Sequence, residues 1–104
     1  EGFYKAVKTI AKLNVPIIIT ENGIADDKDD RRSLFIKRYL YALFKTIEEG
    51  YDVRGYFYWS LMDNFEWAEG YSQRFGLVWV DFETLERIPK KSYYWYQKFL
   101  KSQK

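Results

Sequence analysis

Two carboxylates and two indoles in this sequence have the types and spacing to act on an uncharged, ring-shaped molecule. Glu21 follows the run Val15-Pro16-Ile17-Ile18-Ile19-Thr20. Three Ile behind a Pro predict a strand buried on both faces, the kind found in parallel sheets. A carboxylate where such a strand leaves the core stands where α/β proteins place their chemistry; the alternative is a loop Glu that caps the next turn. Behind it, Asn22-Gly23 predicts a turn that tolerates left-handed backbone. Further along, Trp59, Asp63, Glu66 and Trp67 lie within nine residues of one another.

There is no Cys and no His among the 104 residues. Disulfides, zinc sites of the usual ligand types, Cys or His nucleophiles and Ser-His triads are therefore excluded. Acid–base work falls to Asp, Glu, Tyr or Lys. Carboxylates beside Trp rings suit a sugar, whose C–H faces stack on indoles while its hydroxyls donate to carboxylates. The reaction that two carboxylates run without a cofactor is glycoside hydrolysis: one attacks the anomeric carbon while an acid protonates the leaving oxygen. Glu21 is the candidate nucleophile. Glu66 is either its acid partner, a substrate-orienting group or a brace for its own loop.

Composition narrows the class further. Hydrophobic residues are 47% and aromatics 21% of the chain, which excludes disorder for most of it. That aromatic density exceeds the needs of one small core, leaving rings for stacking on a ligand or for a shared interface. A formal net charge of +2 argues for neither nucleic acid nor an anionic membrane as partner. No apolar run approaches transmembrane length and no leader precedes the first helix, so a cytoplasmic location is expected. Abundant Lys and Glu without Cys lean towards a thermophile.

The elements that must position these residues follow one another closely. Glu1 to Asn14 reads as a helix with Phe3, Ala6, Val7, Ile10 and Leu13 on one face, ended by Asn14 and Pro16. The strand Ile17 to Thr20 follows. Asp26-Asp27-Lys28-Asp29-Asp30-Arg31-Arg32 lacks the ligand spacing of a calcium loop, since counting from Asp27 brings Arg31 and Arg38 to ligand positions. It predicts a solvated loop whose acids favour the N-terminus of the next helix. That helix spans Arg31 to Glu49, with Ile36, Leu40, Leu43, Phe44 and Ile47 as its buried stripe and Gly50 as its cap. Val53 to Ser60 is a second strand, whose end emerges beside Glu21 if the two strands are parallel neighbours. Leu61 to Tyr71 is an irregular loop, Phe75 to Asp81 is extended, and Phe82 to Pro89 is a polar turn. Ser92 to Lys104 is a closing helix with Tyr93, Tyr96, Phe99 and Leu100 inward; its Lys stems cover the rim.

Three motifs in this order carry a resemblance. Thr20-Glu21-Asn22-Gly23, then Trp59-Ser60-Leu61-Met62-Asp63-Asn64-Phe65-Glu66-Trp67, then Gly70-Tyr71-Ser72-Gln73-Arg74-Phe75-Gly76-Leu77 resemble glycoside hydrolase family 1, the archaeal β-glycosidases above all. The resemblance covers essentially the whole chain. It implies an α/β fold made of the C-terminal two βα units of a (β/α)8 TIM barrel, with residues 1–104 as the C-terminal part of a single barrel domain. It implies a retaining β-glycosidase acting on β-glucosides or galactosides through a covalent glycosyl intermediate, without cofactor or metal.

By the same resemblance Glu21 is the nucleophile and Trp59 the platform under the reacting sugar. Glu66 and Trp67 bond sugar hydroxyls, Phe75 lies close by, and Gln73 faces the same site; Glu66 thereby leaves the acid role. A cis peptide between Trp59 and Ser60 is also implied. The family's acid/base Glu belongs to an Asn-Glu-Pro motif that does not occur in these 104 residues. An eight-stranded barrel takes about 250 residues. The expected partner is therefore the remainder of a barrel carrying that Glu. An isolated chain is expected to be inactive and to self-associate through open strand edges, the alternative being a non-catalytic sugar-binding fragment.

Overall fold

The computed structural model describes residues 1–103, and they form an α/β arrangement in two units. Glu1–Asn22 with Ile36–Tyr58 make the first, and Gly23–Phe35 with Trp59–Lys104 the second. In chain order the elements are α1 (Gly2–Ala11), β1 (Ile17–Ile19), α2 (Arg32–Glu48), β2 (Val53–Tyr56), a 3-10 turn (Trp67–Glu69), β3 (Val78–Val80), β4 (Arg87–Pro89) and α3 (Lys91–Lys101).

In the first unit β1 and β2 are parallel, with Ile17 against Val53, Ile18 against Gly55 and Ile19 against Tyr56. Gly55 leaves room for its neighbour, since a Cβ there would lie 3.3 Å from Ile18 Cγ2. Val7 of α1, Ile17 of β1 and Leu43 of α2 form the buried core, ringed by Phe3, Ala11, Ile19, Val53 and Tyr56. Phe3 and Tyr39 add a tilted ring pair at 4.8 Å. α2 closes at Gly50, whose φ of 96° only glycine adopts without strain.

Several expectations change here. β1 is not buried on both faces: Ile17 is covered, but Ile18 is 54% exposed. The periodicity identifies which positions are apolar and not which face another layer covers. For the same reason Phe44 and Ile47 of α2, and Ile10 and Leu13 of the α1 stripe, stand exposed while Ile36 and Leu43 are buried. α1 stops at Ala11 and continues as a turn to Asn14, which takes a φ of 55°. β2 ends at Tyr56, four residues earlier than read from the aromatic run.

The second unit holds β3 and β4 as an antiparallel hairpin, Val78 against Pro89, Trp79 against Ile88 and Val80 against Arg87. The stretch expected as a polar turn thus contains a strand. The turn proper is built by Asp81, whose Oδ1 accepts from the amides of Glu83 (2.9 Å) and Thr84 (3.2 Å) while Leu85 takes a φ of 65°. Pro89 sits at the end of β4, where the missing donor is tolerated. In α3 the buried position is Ser92, and Leu100 points outward at 52% exposure.

The acidic loop is not wholly solvated. Asp26 and Asp29 belong to a buried polar network of the second unit. Asp26 Oδ2 accepts from the Arg31 amide at 2.8 Å. The fully buried Arg32 donates to the carbonyls of Asp26 (2.9 Å) and Arg74 (2.7 Å) and pairs with Asp29. Asp29 in turn accepts from the amide (2.9 Å) and hydroxyl (2.6 Å) of Ser92 at the start of α3. Burial works to raise the Asp26 carboxyl. The Arg31 amide and the Arg32 and Arg31 charges outweigh it and hold the group below its ordinary value. Among the described residues no helix is long and apolar enough to cross a membrane.

Candidate active site

β1 delivers Glu21 two residues beyond its last member, with the side chain exposed at the C-terminal end of the parallel pair. The next residue is tied down. Asn22 Oδ1 accepts from the Tyr56 hydroxyl at 2.9 Å, so the end of β2 holds the residue that follows Glu21. This anchor was not anticipated; the only sequence signal for it is a polar ring at the end of an aromatic strand.

Gly23 does not adopt the left-handed backbone expected of it; the glycines with positive φ are Gly50 and Gly70. Its role is close approach. A Cβ at Gly23 would lie 1.9 Å from the Trp59 carbonyl oxygen and 3.0 Å from the carbonyl carbon.

Within the second unit, Trp59 precedes a cis peptide to Ser60. Its indole is partly open, at 37% exposure, and its Nε1 donates to Glu66 Oε1 at 2.9 Å. The structure thus brings two of the sequence-predicted residues together directly. Phe75 joins through the backbone, its carbonyl accepting from the Ser60 amide at 3.2 Å, one residue beyond Trp59. Trp67 opens the 3-10 turn with a φ of 50° and is 85% exposed.

Beneath this loop lies a centre that sequence reasoning had only as a nearby acid. The Asp63 side chain is fully buried and accepts from Arg74 Nη1 (2.6 Å), Lys90 Nζ (3.0 Å) and the Gly76 amide (2.9 Å). Its own amide donates to Val78 at 3.0 Å. Gly76 is required here as well, since a Cβ would lie 2.2 Å from the Asp63 nitrogen. Burial pulls the Lys90 ammonium below the ordinary lysine value; Asp63 works upward and the Arg32 charge adds to the lowering. The Arg74 guanidinium also lies over the rings of Trp79 and Phe82, at 5.3 and 4.6 Å. These ties fix the segment between Trp59 and Glu66 at its middle. No group of three or more acidic side chains that could hold a metal ion occurs among the described residues.

A strand-end carboxylate, an open indole and a carboxylate bonded to that indole invite comparison with carbohydrate enzymes. Residues 1–104 match the model of Glycosyl hydrolase family 1 along their whole length. A bifunctional β-D-glucosidase/β-D-fucosidase of Bifidobacterium breve is 48% identical over 111 residues, covering 89% of this chain and 24% of that protein. β-Glucosidase A of Thermotoga maritima is 45% identical over 113 residues, covering 98% of this chain and 25% of that protein. The crystal structure of Fpglu1 from Fervidobacterium pennivoraus superposes with a TM-score of 0.95 at 48% identity, covering 99% of this chain and 22% of that one. The chain therefore spans about a quarter of the length of the relatives it matches. With its motifs intact, its fold matched and all its residues within the family model, the chain belongs to glycosyl hydrolase family 1.

Proposed function

We propose that residues 1–104 form the C-terminal two βα units of a (β/α)8 barrel and supply the nucleophile side of a retaining β-glycosidase site. The observation that carries this reading is the position of Glu21 just past the C-terminal end of β1, in parallel pairing with β2. Barrel enzymes set their reacting groups at that end of their strands. The Glu21 carboxylate attacks the anomeric carbon of a β-linked glucoside or galactoside while an acid from the rest of the barrel protonates the leaving oxygen. A glycosyl ester forms on Glu21. Water then attacks the same carbon, the former acid takes its proton, and Glu21 leaves as carboxylate.

The Trp59 indole is the surface on which the sugar ring stacks. Glu66 spends Oε1 on that indole and offers its other oxygen to a sugar hydroxyl. Trp67 and Phe75 complete the sugar side. The exposed apolar residues of the first unit, Ile18, Phe44, Ile47 and Phe57, support the view that further barrel elements cover it.

The test is a hybrid in which residues 1–104 replace the matching stretch of the Thermotoga maritima β-glucosidase A, assayed on an aryl β-glucoside. Glu21→Gln in the hybrid is expected to abolish turnover to within a few thousandths of the parent. Activity within about tenfold of the parent would remove Glu21 from the nucleophile role, because covalent catalysis has no substitute group here.

A further inference from the structure

Glycines 2 and 50 have no atom within 4 Å of where a Cβ would stand, and at Gly55 the nearest atom is an Ile18 methyl at 3.3 Å. Gly23 differs from all three. Its Cβ would stand 1.9 Å from the Trp59 carbonyl oxygen, 3.0 Å from the carbonyl carbon and 3.4 Å from Trp59 Cβ. The obstacle is backbone at the root of the indole, which cannot swing away as a side-chain tip can. Nor does backbone handedness require this glycine, since its φ is not in the left-handed range. What requires it is the distance to one peptide.

We infer that Gly23 is a positioning residue: its contact with the Trp59 peptide, within the second unit, sets where the sugar platform stands. The inference rests on the roles proposed above for Glu21 and Trp59. Glu21 lies two residues upstream of the contact along the chain, and the indole is attached to the Cα adjacent to the touched carbonyl. Asn22, between them, is held by the Tyr56 hydroxyl, so the turn has little freedom to absorb a displacement at Gly23. The far side of the Trp59 segment is equally committed, with Ser60 bonded to Phe75 and to Leu77 and Trp59 Nε1 bonded to Glu66. A methyl group at position 23 must therefore move the platform's peptide rather than be accommodated by loose neighbours. Displacing a substrate-bearing group by about 1 Å costs up to a hundredfold in rate.

The experiment is a double-mutant cycle in the same hybrid, combining Gly23→Ala with Trp59→Ala, with Gly2→Ala and Gly55→Ala as reference substitutions. Steady-state kinetics on an aryl β-glucoside are read beside the melting temperature of each variant. Gly23→Ala is expected to lower kcat/KM about tenfold to a hundredfold in the parent. In the Trp59→Ala background it should lower kcat/KM by less than about threefold, because the group through which it acts is gone. Equal losses in both backgrounds, or no loss in the parent, overturn the inference. So does a Gly23→Ala hybrid that fails to fold while Gly55→Ala folds, because Gly23 is then a folding requirement and not a gauge of the platform. If Glu21→Gln and Trp59→Ala both keep parental activity, the underlying functional reading has failed. Large losses in those two with an additive Gly23→Ala would mean that only the present inference has.

Discussion

The indole nitrogen of Trp59 donates to Oε1 of Glu66 at 2.9 Å, joining the ring proposed to carry the sugar to the carboxylate proposed to grip it. A carboxylate holds several acceptor sites, so this bond orients Glu66 without exhausting it. Glu66→Ala in the hybrid removes the indole's acceptor and the sugar's together. We expect kcat/KM to fall about tenfold to a hundredfold, the worth of a hydrogen bond to a charged group. Glu66→Gln keeps an acceptor for the indole and should lose less. Equal kinetic losses in the two variants would show that the indole bond does not matter.

Asp63 is the brace of this loop, and its removal is expected to be felt in stability. Asp63→Ala strands the nearly buried Lys90 and the partly buried Arg74 without their anion. Breaking a buried pair from one side costs about 3–5 kcal/mol. Lys90→Met should cost less, because Arg74 still satisfies the carboxylate. Urea unfolding of the two hybrids checks the order, and a Lys90→Met hybrid less stable than the Asp63→Ala one would refute it.

Asp26 predicts an acid dependence. Its folded-state carboxyl lies below the ordinary value of 3.8. The stability it contributes is therefore fully present above that value and is lost as pH falls through the lowered one. Asp26→Asn, which retains an acceptor for the Arg31 amide, should be less stable than the parent hybrid at pH 7. The two unfolding midpoints should converge in acid, below roughly pH 4. A gap that persists there would show that shape, not charge, is what Asp26 supplies.

The sequence carried the types of the main elements more clearly than the packing around them. Gly50 was legible as a helix end, and the strand before Glu21 was legible because three Ile follow a Pro. Ile18, Phe44 and Leu100 were misread as buried because an apolar stripe reveals only that a face is suited to cover. β4 escaped because three residues ending in Pro give almost no alternation to read. Asp63 looked like one more loop acid because its partners Arg74 and Lys90 stand 11 and 27 residues away along the chain. Gly23 was identified as a turn residue, but its constraint comes from a peptide 36 residues further on, which no local pattern encodes.

The most direct test of the central claim is to catch the bond itself. The hybrid would be incubated with a β-glucoside carrying fluorine at C2 and a good leaving group, which slows breakdown of any glycosyl ester more than its formation. Mass spectrometry of the digested protein should then find the sugar's added mass on the peptide containing Glu21, and Glu21→Gln should abolish it. The same mass on a peptide without Glu21, with Glu21→Gln still labelled, would contradict the account.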